Sequence, residues 1–165
     1  MNRFGRILVP LDGSDLAEEA LSIAIELADK FDSQVILLRV LDIPLPASPS
    51  PYPEERWAHE ALQYTYRQAQ LYLDERSQLL ANKDIPVRKI VREESPADEI
   101  LLVAVAEDVD IIIMTSHGMG GPSRWPSGSV AAKVMQMSPC PVLLVRKDMG
   151  HLASSPAKAA VVLPV

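Results

Sequence analysis

The sequence predicts an α/β fold, an open five-stranded parallel sheet sandwiched by helices, and three observations carry that prediction. Short, almost purely apolar runs alternate with longer stretches whose apolar residues recur at three- and four-residue steps. The run Val35-Ile36-Leu37-Leu38 has no polar interruption, the pattern of a strand covered by helices on both faces. The resulting order β-α-β-α-β-α-β-α-β demands a crossover helix between each pair of parallel strands. In such sheets a ligand lies beyond the carboxyl ends of the strands, where the strand order reverses. The loops after the first and fourth strands are therefore the candidate site.

Ile7-Leu8-Val9-Pro10-Leu11 predicts the first strand, stopped by the turn pair Asp12-Gly13. Ser14 is placed to cap the helix that follows, and Asp15, Glu18 and Glu19 set negative charge at its positive end. Ala17, Ala20, Leu21, Ala24, Leu27, Ala28 and Phe31 form its apolar face. Val35 to Leu41 is the second strand. Pro44, Pro46, Pro49, Pro51 and Pro53 then forbid a helix or a central strand, so this segment reads as a surface loop. Residues Glu54 to Asn82 predict a long helix carrying Trp57, Ala61, Leu62, Tyr64, Leu71 and Leu79, with Tyr64, Tyr66 and Tyr72 assigned to core or dimer packing.

Val87 to Val91 alternates like a strand near a sheet edge, and Ser95-Pro96 starts a helix through Ile100, Leu101, Val103 and Ala104. Val109 to Met114, Ser129 to Met137 and Val142 to Val145 complete the series as strand, helix and strand. Beyond Lys147, Val161-Val162-Leu163-Pro164-Val165 echoes Ile7 to Leu11 position by position. The expected division is a domain over 1–147 and a tail over 148–165, either the start of a second repeat or a strand exchanged in a dimer.

A chain of 165 residues with 48% apolar and 23% charged residues suits one soluble domain with a substantial core. A net charge of −6 offers no global attraction to nucleic acid or an anionic membrane. No apolar run approaches the roughly 20 residues of a membrane span, and Met1 to Arg6 leads into a strand without a signal-peptide pattern. Cys140 is the single cysteine, which excludes an internal disulfide and a cysteine metal cluster. A cytoplasmic location, with neither nucleic acid nor membrane as partner, is the expectation.

The chemistry concentrates in Met114-Thr115-Ser116-His117-Gly118-Met119-Gly120-Gly121, directly after the fourth strand, and in Gly128-Ser129, directly before a helix. Glycines let the main chain approach a phosphate closely, and a helix start offers unpaired N–H groups. Simpler readings exist for each residue. Asp12 either makes an Asx-turn that caps the first helix or meets a ligand, and Ser129 serves equally as a helix cap or a phosphate donor. His117 is read as structuring its loop, because no nucleophile pattern points at it. His59 and His151 lack neighbours at metal-ligand spacing, and Cys140, between Pro139 and Pro141, reads as a small core residue.

Over nearly its whole length the chain resembles the universal stress protein family. The resemblance rests on Ile7 to Ser14, on Val35 to Val40, and on Ile111 to Arg146 with its Ser116-His117-Gly118, Gly128-Ser129-Val130-Ala131 and Ser138-Pro139-Cys140-Pro141 stretches. It implies a Rossmann-like fold of the adenine nucleotide alpha hydrolase-like kind. The family's ATP-binding branch carries Gly, two residues, Gly, nine residues, then Gly-Ser or Gly-Thr. Gly118, the nine residues Met119 to Ser127, and Gly128-Ser129 match, but Thr115 stands at the first glycine.

Carried over, the resemblance implies ATP or a related adenine nucleotide as ligand, with magnesium reached indirectly through Asp12. Pro10, Leu11 and Asp12 would meet the adenosine moiety, and Val40 would line the adenine pocket. Met114, Thr115, His117, Gly118, Met119 and Gly120 would border the phosphates, and Gly128, Ser129 and Val130 would close on the distal ones. A homodimer through the last strand is implied, with Val142 to Val145 as apolar edge material. The alternative is a dimeric stress-related scaffold that binds no nucleotide because of Thr115. With no arginine finger or water-positioning pair in the motif region, a binding module is expected ahead of a hydrolase, ATP turnover being at most slow.

Overall fold

Neighbouring strand residues bury themselves on opposite faces of one sheet, and so divide the apolar side chains between two cores. The computed structural model describes residues 4–42, 55–116, 129–146 and 159–162. Its elements are β1 (Arg6–Pro10), α1 (Asp15–Phe31), β2 (Gln34–Leu41), α2 (Glu55–Ala81), β3 (Val87–Glu93), α3 (Pro96–Ala106), β4 (Ile111–Thr115), α4 (Ser129–Met137), β5 (Val142–Val145) and β6 (Ala159–Val162). The strand order is β3-β2-β1-β4-β5-β6. The first five strands are parallel, as expected, and β6 is added antiparallel to β5.

On one face Ile7, Val9, Val35, Leu37, Ile111, Ile113, Leu143 and Val145 meet α1 and α2. On the other, Leu8, Ile36, Leu38, Ile112, Met114, Val142 and Leu144 meet α3 and α4. Each such side chain, taken fully from water, contributes about 1.5–3 kcal/mol before the entropy of ordering is subtracted. Cys140 belongs to the second core, where burial pushes its thiol above the usual range.

α1 begins as its sequence dictates: Ser14 is extended and its hydroxyl accepts from the Ala17 amide at 3.2 Å. It ends at Asp32, which takes the left-handed conformation (φ 51°) and donates its amide to the Ala28 carbonyl. α3 starts at Pro96 after an extended Ser95, although the Ser95 hydroxyl makes no capping bond to a helix amide.

Three expectations need correction. The buried stripe of α2 is Ala69, Leu73 and Leu80, whereas Tyr64, Leu71 and Leu79 are exposed, as is Ala61. The sheet-facing side of α2 also carries Tyr72 and Arg76, which reach Glu18 on α1, so counting apolar residues alone selects the wrong face. Phe31 is 39% exposed rather than buried in the core, and meets Phe4 edge-on, with ring centroids 5.4 Å apart. Third, Val142–Val145 is not a sheet edge. Its outer side pairs with β6 in the register Val142↔Val162 to Val145↔Ala159.

Candidate functional site

The strand order reverses between β1 and β4, since β2 and β3 lie to one side and β5 to the other. Register pairing between those two strands stops at Leu8↔Ile112, short of Pro10 on β1 and of Thr115 on β4. Their carboxyl ends therefore flank the topological switch point, the place where α/β sheets form a ligand-binding crevice. β2 continues past the β1 end, because Pro10 faces Leu38 while β2 runs on to Leu41. Half-buried Val40 thus flanks the crevice on one side.

The β1–α1 turn forms the near wall. Leu11 is buried and its amide donates to the Leu38 carbonyl at 2.8 Å, carrying the ladder one residue beyond the strand. Asp12 is half-buried, and its Oδ1 accepts from the Ser14 amide at 3.0 Å and the Ser14 hydroxyl at 2.6 Å. That is the Asx-turn reading of Asp12, and it ties the carboxylate to the start of α1. Gly13 has φ +86°, a conformation that a side chain strains.

The far wall is the end of β4. Met114 is buried in the α3–α4 core, and Thr115 ends β4 in register with Val145. The Ser116 amide, on a buried residue, then donates to the Val145 carbonyl at 3.0 Å. Thr115 is therefore extended ladder backbone and is not among the residues with positive φ. A β-branched residue is at ease there, and the backbone at this position does not require glycine.

Ser129 is the first residue of α4 and exposed, with Val130 half-buried behind it. Ala131 and Val134 seat the helix in the core. Lys133 pairs with Asp98 of α3 at 2.6 Å, which together with the Ser95 hydroxyl holds the Asp98 carboxyl below its usual range. The amides at the start of α4 are donors suited to an anion. His117, Gly118, Met119, Gly120 and Gly128 lie outside the described residues. Of the predicted set, Pro10, Leu11 and Asp12 lie at the carboxyl end of β1, Met114 and Thr115 at that of β4 and Val40 on β2 beyond the end of β1, while Ser129 and Val130 begin α4.

Sequence reasoning missed the support beneath the near wall. Arg39 of β2 donates from Nη1 to the Leu11 carbonyl at 3.1 Å, and its guanidinium lies 5.8 Å from the Tyr72 ring centroid. The Tyr72 hydroxyl donates to Glu18 Oε1 at 2.9 Å, and Arg76 Nε donates to the same oxygen at 2.6 Å. Arg76 also lies over the Tyr72 ring, 4.8 Å from its centroid. Burial first, and then the bonded Glu18 carboxylate, push the Tyr72 phenol up to about 12. The bond to Glu18 raises Arg76 as well. The available signal was a single arginine within the apolar run Val35 to Leu41.

Among the described residues no cluster of three His, Cys, Asp or Glu could hold a metal ion. His59 instead shares a 2.9 Å hydrogen bond with Gln63. No helix among them is long and apolar enough to cross a membrane.

Comparison with known proteins agrees with this architecture. The model of the Universal stress protein family matches residues 3–146. The universal stress protein YxiE of Bacillus subtilis is 31% identical over 147 residues, covering 87% of this chain and 99% of its own. The structure of the universal stress protein UspA from Lactobacillus plantarum superposes with a TM-score of 0.77 at 25% identity, covering 86% of this chain and 97% of that one. Two more distant universal stress proteins share the fold. One, from Arabidopsis thaliana, was solved with AMP bound (TM-score 0.59, 16% identity, 87% and 92% covered), and another in complex with cAMP (TM-score 0.61, 18% identity, 87% and 97% covered).

Proposed function

The chain belongs to the universal stress protein family, and from that premise we propose that it is an adenine-nucleotide-binding module, holding ATP or a related nucleotide in the β1–β4 crevice. The observation that carries this reading is Thr115: it ends β4 in extended backbone paired with Val145, so the missing motif glycine leaves no strain in the wall. Asp12 and the Leu11 backbone take the adenosine end, with Val40 beside the base. The loop from His117 to Gly128 and the first amides of α4, with Ser129 and Val130, take the phosphates. Magnesium rides on the phosphate oxygens of a triphosphate, with Asp12 as its indirect protein partner. Nucleotides bound to two members of the same fold support the choice of adenine.

The module works in the cytoplasm in stress response and regulation, as a homodimer. Because β6 covers the outer side of β5, the strand offered to a second copy is β6, and the tail over 148–165 is read as pairing material that follows a domain over 1–147. Mass spectrometry of small molecules released from purified protein, with calorimetric titration of ATP and AMP, tests the nucleotide. Adenine nucleotide in the release, or saturable binding, is expected. No nucleotide and no affinity at millimolar ATP would leave the chain a scaffold with an empty crevice.

A further inference from the structure

Arg39 is a half-buried charged residue that directly follows the buried run Val35, Ile36, Leu37 and Leu38, and partly withdrawing a cation from water is unfavourable unless its donors find partners. Its Nη1 donates to the Leu11 carbonyl at 3.1 Å. Since the Leu11 amide already bonds Leu38, both backbone polar groups of Leu11 are held by β2. The same guanidinium lies beside Gly13 of the turn. A Cβ placed on Gly13 would lie 3.4, 3.6 and 3.7 Å from its Nη1, Nη2 and Cζ atoms. The guanidinium also lies near the Tyr72 ring, which Arg76 flanks and the Glu18 bond anchors. Glu18 stands in the first turn of α1, so Tyr72 connects the residue before the turn, through Arg39, with the helix that follows it.

We propose that Arg39 is the positioning residue of the adenosine-side wall: its planar fork holds the Leu11–Gly13 turn in the one conformation that presents Asp12 to the crevice, and Tyr72 of α2 holds the fork. The ligand part of this inference rests on the nucleotide reading above; the turn part does not. Without the fork, the Leu11 carbonyl loses its side-chain donor and Gly13, free to sample both signs of φ, lets the turn open. A ligand must then reorder the turn on binding and loses affinity accordingly.

The test uses the full chain with Arg39→Met and Arg39→Lys, reading amide hydrogen exchange without ligand and ATP affinity by calorimetry. Arg39→Met is expected to speed exchange of the amides from Gly13 to Ala17 by about tenfold while those of Ile112 and Ile113 hold their parental rates. ATP affinity should weaken by about five- to twentyfold. Arg39→Lys keeps the stem and the charge but not the fork, folds as the parent, and should fall between the two. Unchanged turn exchange in both variants would overturn the inference, as would equal acceleration in the turn and in β4, the signature of general loosening. If the parent chain binds no ATP, the nucleotide reading fails by itself and the exchange rates alone decide the role of Arg39.

Discussion

Thr115 and Val145 face each other at the ends of the parallel β4–β5 ladder, and the next amide, Ser116, bonds the Val145 carbonyl at 3.0 Å. The residue that departs from the family's glycine pattern is thus a strand residue, and its substitution separates two readings of the crevice. Thr115→Gly should lower stability by about 0.5–1 kcal/mol, because a strand glycine has more backbone freedom to lose and no side chain to pack. ATP affinity should stay within about threefold of the parent, since the wall already has an accessible backbone conformation. Urea denaturation and calorimetry read the two quantities. A gain in affinity of tenfold or more on introducing glycine would identify the threonine itself as the obstacle to nucleotide and favour the scaffold reading.

Asp12 offers a cleaner separation of turn from ligand. Its Oδ1 serves the Ser14 amide and hydroxyl, a task that an asparagine oxygen also performs. Asp12→Asn should therefore keep the melting temperature near that of the parent but weaken nucleotide binding, most of all with magnesium present. Asp12→Ala should lose both, with a stability loss of about 1 kcal/mol from the turn and the helix start. Equal ATP affinity in Asp12→Asn and the parent would confine Asp12 to its structural role.

How far the fold could be read from the sequence follows from which interactions are local. β2, with Val35 to Leu38 unbroken, and α1, with small residues at helical spacing behind Ser14, declare themselves because burial and capping are written in adjacent positions. The switch point between β1 and β4 follows from element order alone. The face of α2 did not, because Tyr72 and Arg76 are fixed by Glu18, which is more than fifty residues earlier in the chain. The same holds for Arg39, whose partners Leu11 and Tyr72 are brought together only by the finished sheet. The tail reads locally as the start of a second repeat or as a swapped or edge strand; it is an edge strand, but nothing local in Ala159 to Val162 states that it runs antiparallel to β5.

The Tyr72 phenol predicts an alkaline limit to stability. Its pKa rises from 10.0 to about 12 in the folded protein, chiefly through burial and then through the Glu18 bond. The native state therefore holds this proton more tightly than the unfolded chain. The stability linked to it is complete below about pH 10 and is lost as pH climbs towards about 12. Denaturation midpoints measured across that interval should fall more steeply for the parent than for Tyr72→Phe, which cannot ionise. Near neutral pH, Tyr72→Phe should be the less stable of the two by about 0.5–1.5 kcal/mol through loss of the bond to Glu18. Parallel pH profiles for the two proteins would exclude Tyr72 as the linked group.

β6 is the end strand beyond β5, and so the edge to which the proposed second copy would add. The two end strands of the sheet differ in character: β3 carries Arg88, Lys89 and Arg92, with Lys89 paired to Asp74 and Arg88 to Glu107, whereas β6 is Ala159-Ala160-Val161-Val162. Charged end strands discourage the addition of another strand and apolar ones invite it. If the homodimer uses β6, the pair Ala160→Pro and Val161→Pro should convert it to a monomer. Adjacent strand residues point their amides to opposite sides, so one of the two prolines removes a donor towards β5 and the other a donor towards the outer side. Light scattering behind size-exclusion chromatography should then read a single-chain mass for the variant and twice that for the parent. The core formed by β1 to β5 does not depend on those donors, so far-ultraviolet circular dichroism should change little. A dimer that survives both prolines would move the interface away from the last strand, and a parent that is monomeric at high micromolar concentration would remove it altogether.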